Sequence, residues 1–203
     1  MSRNKIAVLG GSFDPVHLGH LFLLHCAVSM TDYTRFLLIP AKLSNFKQDS
    51  SPLASDSNRL GMLSLALEDY RDIYPQDRDV KIEVSDMEIS RGGVSYTSDT
   101  IRILKEKYPE AQIGMVIGDD HVHGLGHWHN FEYLKENVDF LICRRYGADD
   151  IWNRLPEGIH YRKMEPQELA PQSSSAIRAD RDANMDYLSP RVREYVRAEN
   201  LYV

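Results

Sequence analysis

A doubly wound α/β fold, with a parallel sheet of five to six strands in a single domain, is what this chain of 203 residues predicts. Three observations carry that expectation. Apolar runs of strand length recur, and most are continuously apolar rather than alternating, which is the mark of strands buried on both faces of a parallel sheet. The segments between them place apolar residues at helical spacing. The strand–helix order repeats about five times without internal sequence repeats, and right-handed crossovers then wind the chain into one layered sheet. In such sheets ligands bind beyond the carboxyl ends of the strands, near the point where strand order reverses.

The elements follow in order. "KIAVL" at 5–9, "RFLLIP" at 35–40, "VKIEV" at 80–84, "QIGMVI" at 112–117 and "DFLIC" at 139–143 are the expected strands. In "NRLGMLSLALEDY", Leu60, Leu63, Leu67 and Tyr70 fall on one helical face; in "SDTIRILKEKY", Ile101, Leu104 and Tyr108 do so, and Pro109 stops the helix. "PRVREYVRAENLY" carries Val192, Tyr195 and Val196 on a stripe, with Pro190 suited to a first helical turn. The segment 41–57, "AKLSNFKQDSSPLASDS", is polar and irregular, as a loop over a binding site or a plain connector would be.

Composition bounds the function. An apolar content of 42% supports a real core, and the net charge of −6 argues against a general nucleic-acid binder, while leaving room for a small anionic substrate in a locally basic pocket. Cys26 and Cys143 sit far apart in apolar segments without metal-ligand spacing, which reads as buried free thiols in a reducing compartment. The apolar run in "MSRNKIAVLGG" is too short for a signal peptide, and no stretch reaches membrane-spanning length. The expectation is a cytoplasmic protein without a membrane partner; homo-oligomerisation stays open.

"GGSFDPVHLGH" at 10–20 directly follows the first strand and so occupies the first βα turn, the usual phosphate-binding corner. It is neither a dinucleotide fingerprint nor a P-loop. Gly10 and Gly11 let the backbone approach a ligand. His17 and His20, three apart at a helix start, share a face, and Gly19 removes a side chain that would stand between them. Histidine and glycine are poor choices for a first helical turn, so a ligand is the better reason for them. Capping or core histidines, or half of a metal site, remain alternatives on spacing alone.

The same stretch resembles the G-[GT]-[ST]-F-D-P-x-H-x-G-H signature of nucleotidyltransferases. Beyond it, "LIPAK", "NRLGMLSLAL", "GVSYTSDTIRILKEKYP", "VIGDD", "HWHNFEYL", "LICRRYG", "SSSAIR" and "YLSPRVREYVRAENLY" follow in the order found in bacterial nicotinate-nucleotide adenylyltransferases. The resemblance spans nearly the whole chain. It implies one Rossmann-like nucleotidyltransferase domain over 1–203, whose helical part from about 173 to 203 contributes to an ATP site. It also implies a reaction: ATP and nicotinate mononucleotide give nicotinate adenine dinucleotide and pyrophosphate, with Mg²⁺. His17 and His20 would be catalytic through hydrogen bonds to phosphate. Gly10, Gly11, Ser12, Phe13, Gly19, Lys47, Gly118, Asp120, Ser173, Ser175 and Arg178 would contact ATP, with Asp119 the alternative to Asp120. Asp14, Tyr96, Thr97, Trp128, His129 and Arg144 would serve nicotinate mononucleotide, Trp128 by stacking on the pyridine.

Departures from the pattern are few. Where the family commonly has P-P-H-[KR], this chain has Ser44-Asn45-Phe46-Lys47, so the loop histidine is lost and the lysine kept. Ser175 replaces a usual threonine and retains its hydroxyl. His121, His123, His127 and His129, with Asp119 and Asp120, form the one pattern that suggests another class, a metal-dependent phosphohydrolase. A nucleotidyltransferase acting on nicotinamide mononucleotide or phosphopantetheine, and a nucleotide sensor without turnover, are the remaining alternatives.

Overall fold

The computed structural model describes residues 4–45, 51–145, 151–170 and 172–203. Phe46 and Lys47 lie outside the described residues, as does part of the 41–57 segment.

Eight strands and seven α-helices alternate along the described chain. The first half runs β1 (Lys5–Gly11), α1 (Leu18–Met30), β2 (Arg35–Pro40), β3 (Leu43–Ser44), α2 (Asp56–Ile73), β4 (Lys81–Val84), α3 (Met87–Arg91), β5 (Val94–Ser95) and α4 (Thr97–Lys107). The second runs β6 (Gln112–Gly118), α5 (Phe131–Asn137), β7 (Asp139–Cys143), β8 (His160–Met164), α6 (Ser174–Ala179) and α7 (Pro190–Ala198). Six strands form one sheet in the order β4-β2-β1-β6-β7-β8, and every pairing is parallel. Strand order therefore grows outward in both directions from the β1/β6 pair. That pair is the switch point, and a crevice opens beyond its carboxyl ends.

The uninterrupted apolar spelling of the strands now has its cause. Along β1, Ala7 and Leu9 enter one apolar cluster and Ile6 and Val8 the other; along β2, Phe36 and Leu38 part from Leu37 and Ile39 in the same way. Buried residues of α1, α2 and α7 complete the first cluster, and those of α4 and α5 the second. The helical stripes behave as expected: Leu63, Leu67, Tyr70, Ile101, Leu104, Val192 and Val196 are buried, while Leu60, Tyr108 and Tyr195 are half-buried.

Two expectations change. The strand β8 was not anticipated: "HYRKM" buries only Met164, because an edge strand packs on fewer neighbours and tolerates charge. Part of the polar loop is also ordered, since Leu43–Ser44 pairs with Val94–Ser95 and the helix α2 already begins at Asp56, its N-cap Ser55 accepting the Asn58 N–H at 3.1 Å. Among the described residues no helix is long and apolar enough to cross a membrane.

Candidate active site

A cavity of about 270 Å³ opens where the switch point requires it, lined by Gly10 and Gly11 at the end of β1 and by Ile117 and Gly118 at the end of β6. One end is basic and rich in small polar groups: Ser12, His17, His20, Arg145, Ser173, Ser174 and Ser175. Elsewhere the lining is Glu88, Ser95, Thr97, Thr100 and Trp128, with Asp120 and His121 also on the wall.

The two histidines are coupled through the start of α1. Their rings lie 3.8 Å apart between centroids, and Phe13, held at φ +46°, tilts against the His20 ring at 4.8 Å. The His17 backbone N–H donates to His20 Nδ1 at 3.2 Å. A neutral ring that accepts at Nδ1 carries its proton on Nε2, so His20 presents a donor from that nitrogen. His17 is 3% exposed, and its Nδ1 is a buried atom without a hydrogen-bond partner. Burial lowers its pKa well below the ordinary 6.5, and the proximity of His20 and Arg145 lowers it further. His17 is a neutral imidazole packed in the wall rather than a surface group, so truncating it would disturb packing as well as chemistry.

Gly19 has a steric reason. A Cβ there would lie 2.9 Å from an Arg145 terminal nitrogen and 3.0 Å from His17 Nδ1 and Cε1. Gly118 is similar: a Cβ would collide with Asp120 Oδ1 and approach Arg145 Cδ at 3.1 Å. Of the two aspartates, Asp120 is exposed and lines the cavity, whereas Asp119 is buried outside its lining.

Asp14, Arg178, Tyr96 and His129 sit behind the cavity instead of in its wall, whereas the serines at 173–175 line it but spend their hydroxyls on the fold. The Asp14 carboxylate, 3% exposed, accepts the Leu53 N–H at 2.9 Å, the Ala54 N–H at 3.0 Å and the Tyr202 hydroxyl at 2.8 Å, so it fastens the turn rather than facing a ligand. Arg178 donates to the Asp14 carbonyl at 2.6 Å and to Ser175 Oγ at 3.1 Å. Ser173 caps α6 by accepting the Ala176 N–H at 3.2 Å, and Ser174 donates to the Pro15 carbonyl at 2.9 Å. The serine side chains thus fix α6 against the turn, and the leading N–H groups of α6 are what remain for an anion. Tyr96 and His129 pack ring against ring in a tilted pair at 4.1 Å, outside the lining, with His129 Nδ1 3.1 Å from Ser98 Oγ.

Arg145, not Arg144, reaches the cavity. Its Nε–H donates to the Ala170 carbonyl at 3.0 Å and a terminal N–H to the Gln172 carbonyl, which holds a 6%-exposed guanidinium beside Gly19. The sequence held a signal for this. Leu141 and Cys143 belong to the apolar cluster that contains α1, and Phe140 and Ile142 to the other, so the next residue on the α1 side of the strand is 145. Arg59 was also missed. It is fully buried on α2, donates to the carbonyls of Ser12 at 2.8 Å and Ala41 at 2.7 Å, and pairs with Asp56 at 2.6 Å. A charge is needed there because three acceptors converge from separate segments.

Trp128 lines the cavity at 6% exposure and also packs in the apolar cluster beneath it. The neighbouring histidines take separate partners: His121 meets the Trp128 ring edge-on at 6.0 Å, His123 lies 3.2 Å from Arg154, and His129 meets Ser98. Among the described residues no group of three or more His, Cys, Asp or Glu could hold a metal ion.

Residues 8–180 match the cytidylyltransferase-like family. A protein of Treponema pallidum subsp. pallidum named "Probable nicotinate-nucleotide adenylyltransferase" is 35% identical over 98% of both chains. One of the same name from Exiguobacterium sibiricum is also 35% identical over 98% of both. Among solved structures, the Plasmodium falciparum nicotinic acid mononucleotide adenylyltransferase complexed with NaAD superposes with a TM-score of 0.78 at 22% identity, covering 98% of this chain and 97% of that one. The fold and the full-length sequence match agree with the cavity at the β1/β6 switch point: this chain belongs to the cytidylyltransferase-like family and, within it, to the nicotinate-nucleotide adenylyltransferases.

Proposed function

We propose that this protein transfers the adenylyl group of ATP to nicotinate mononucleotide, releasing pyrophosphate and nicotinate adenine dinucleotide. The observation that carries the reading is the single cavity that joins the 10–20 turn and the 173–175 segment to Thr97 and Trp128. One end suits phosphates, and the other suits a flat ring with an acceptor substituent.

The chemistry asks little covalent work of the protein. A phosphate oxygen of nicotinate mononucleotide, already anionic at neutral pH, attacks the α-phosphorus in line, and pyrophosphate leaves. Positioning and stabilisation of the charge gathering on the α-phosphate lower the barrier. His20 donates from Nε2, Arg145 supplies the fixed positive charge, and the first N–H groups of α1 and α6 add their dipoles. Gly10, Gly11, Ser12 and Phe13 bring backbone close to the nucleotide, while Gly118 and Asp120 face its sugar or base. Neutral His17 supports His20 by a close, tilted ring contact and adds no second cation that Arg145 would repel. Mg²⁺ would enter as part of the substrate, carried on the oxygens of ATP. Thr97 and the segment after Trp128 meet the nicotinate carboxylate with backbone donors, and Trp128 stacks on the pyridine.

Purified protein incubated with MgATP and nicotinate mononucleotide should release pyrophosphate and dinucleotide in equal amounts. Turnover with phosphopantetheine instead, or hydrolysis of ATP without a second substrate, would overturn the reading.

A further inference from the structure

Glu88 is a buried carboxyl on α3 that adenylyl transfer does not use. It is 7% exposed and lines the cavity beside Ser95, Thr97 and Thr100. Thr100 donates its hydroxyl to Glu88 Oε1 at 2.5 Å, and the Ser95 hydroxyl stands in the same stretch of cavity wall. Ser95 Oγ accepts the Lys42 N–H at 2.9 Å, which ties this wall to the segment after β2. Burial raises the Glu88 pKa; the two hydroxyls and Arg91 oppose that rise, and Asp99 adds to it.

The two hydroxyls flank one feature. Ser95 stands before the first turn of α4 and Thr100 at its end. The Tyr96 carbonyl accepts the N–H groups of Asp99 at 3.1 Å and Thr100 at 3.3 Å, which leaves those of Thr97 and Ser98 without intrahelical partners. Under the function proposed above, these are the donors offered to a substituent on the pyridine, Thr97 itself standing in the cavity lining. A carboxyl that holds Thr100, at the end of that turn, fixes where they point. An apolar residue at 88 could fill the space but could not anchor the Thr100 hydroxyl in a buried wall.

We propose that Glu88 is the positioning residue that sets pyridine-nucleotide specificity, by holding the Thr97 and Ser98 N–H groups in the geometry that reads a carboxylate against a carboxamide. The inference rests on the function proposed above. Glu88 touches neither substrate in this account; it acts through Thr100.

The test compares Glu88→Ala, Glu88→Gln and Thr100→Val with wild type, using nicotinate and nicotinamide mononucleotides at saturating ATP, with thermal unfolding as the folding control. Glu88→Ala should raise KM for nicotinate mononucleotide by about tenfold or more, as misplacing a substrate-positioning group does. KM for ATP should stay within about twofold, because the phosphate end is untouched. The preference for nicotinate over nicotinamide should shrink by a similar factor. Glu88→Gln keeps an acceptor and the shape, so it should recover most of the preference. Thr100→Val removes one strut while keeping the volume, and it should reproduce part of the loss even if Glu88→Ala does not fold. An unchanged preference in folded variants, or parallel loss of kcat with both nucleotides, would overturn the proposal. Absence of turnover by wild type with nicotinate mononucleotide would overturn the proposed function itself, so the two failures are distinguishable.

Discussion

Gly19→Ala asks whether room, rather than flexibility, explains this glycine. Glycine inside a helix costs about 1 kcal/mol relative to alanine, so propensity alone makes the variant more stable by that amount. The structure opposes this. The new Cβ would lie 2.9 Å from an Arg145 nitrogen and 3.0 Å from His17, against an ordinary contact of 3.4–4 Å. Arg145 must therefore retreat by at least 0.5 Å, the difference between 3.4 and 2.9 Å, and His17 by 0.4 Å. Neither can swing away, because His17 is 3% exposed and Arg145 is tied to the carbonyls of Ala170 and Gln172. Overpacking of this kind costs about 1–3 kcal/mol, so the net change in stability runs from nothing to a loss of about 2 kcal/mol. Catalysis should suffer more. A misplacement of about 1 Å costs on the order of a hundredfold, so half of that predicts a fall in kcat/KM of about tenfold or more. Urea denaturation and steady-state kinetics measure the two effects, with Gly124→Ala as control, since its added methyl meets nothing within 4 Å. A Gly19→Ala protein with higher stability and unchanged kcat/KM would refute the steric argument.

Further outcomes follow from the same site. His17 binds no proton in the folded state until well below its ordinary pKa, whereas the unfolded chain binds one near 6.5, so stability rises with pH through that window and levels above it. His17→Asn should flatten this acid limb, seen as a smaller difference between denaturation midpoints at about pH 5.5 and about pH 7.5. Arg145→Lys should not restore the activity lost in Arg145→Ala, because one ammonium cannot hold two carbonyls and face a phosphate at once; steady-state kinetics of both variants checks this. Wild type should prefer nicotinate over nicotinamide mononucleotide by at least about a hundredfold in kcat/KM, since paired N–H donors oppose an amide's own hydrogens. Trp128→Ala should weaken both nucleotides equally, which competition between them would reveal.

The frame of this protein was legible because a parallel sheet writes itself plainly: β1, β2, β6 and β7 are apolar on both faces, and the turn after β1 lies at the switch point. The edge strand β8 was not, since its charged residues meet solvent. Within the site, the residues that form a local pattern, His17, Gly19 and His20, are brought together by the first turn of a single helix. Others depend on contacts no spacing encodes. Asp14 sits inside the signature but is claimed by Leu53, Ala54 and Tyr202, so proximity in sequence misdirected its role. Arg144 and Arg145 differ only in strand phase, which follows from their neighbours once α1 is known to cover the 141/143 face. Arg59 carries no such signal, because nothing in its own segment announces the carbonyls of Ser12 and Ala41.

The fastening of the turn at 14–15 has a consequence for how the molecule is made. Its partners Ser174, Arg178 and Tyr202 lie 159, 164 and 188 residues further along the chain. At ribosomal speeds of about 5–20 residues per second, the signature waits roughly 10–40 s for its last support to be synthesised. During that interval β1, α1 and β2 can already pair and bury their apolar faces, yet the phosphate corner lacks the groups that hold it in shape. The binding site is thus among the last parts of the protein to mature. A growing chain has little capacity to sequester ATP, and an interrupted one yields a fragment without a working corner rather than a competitor for nucleotide.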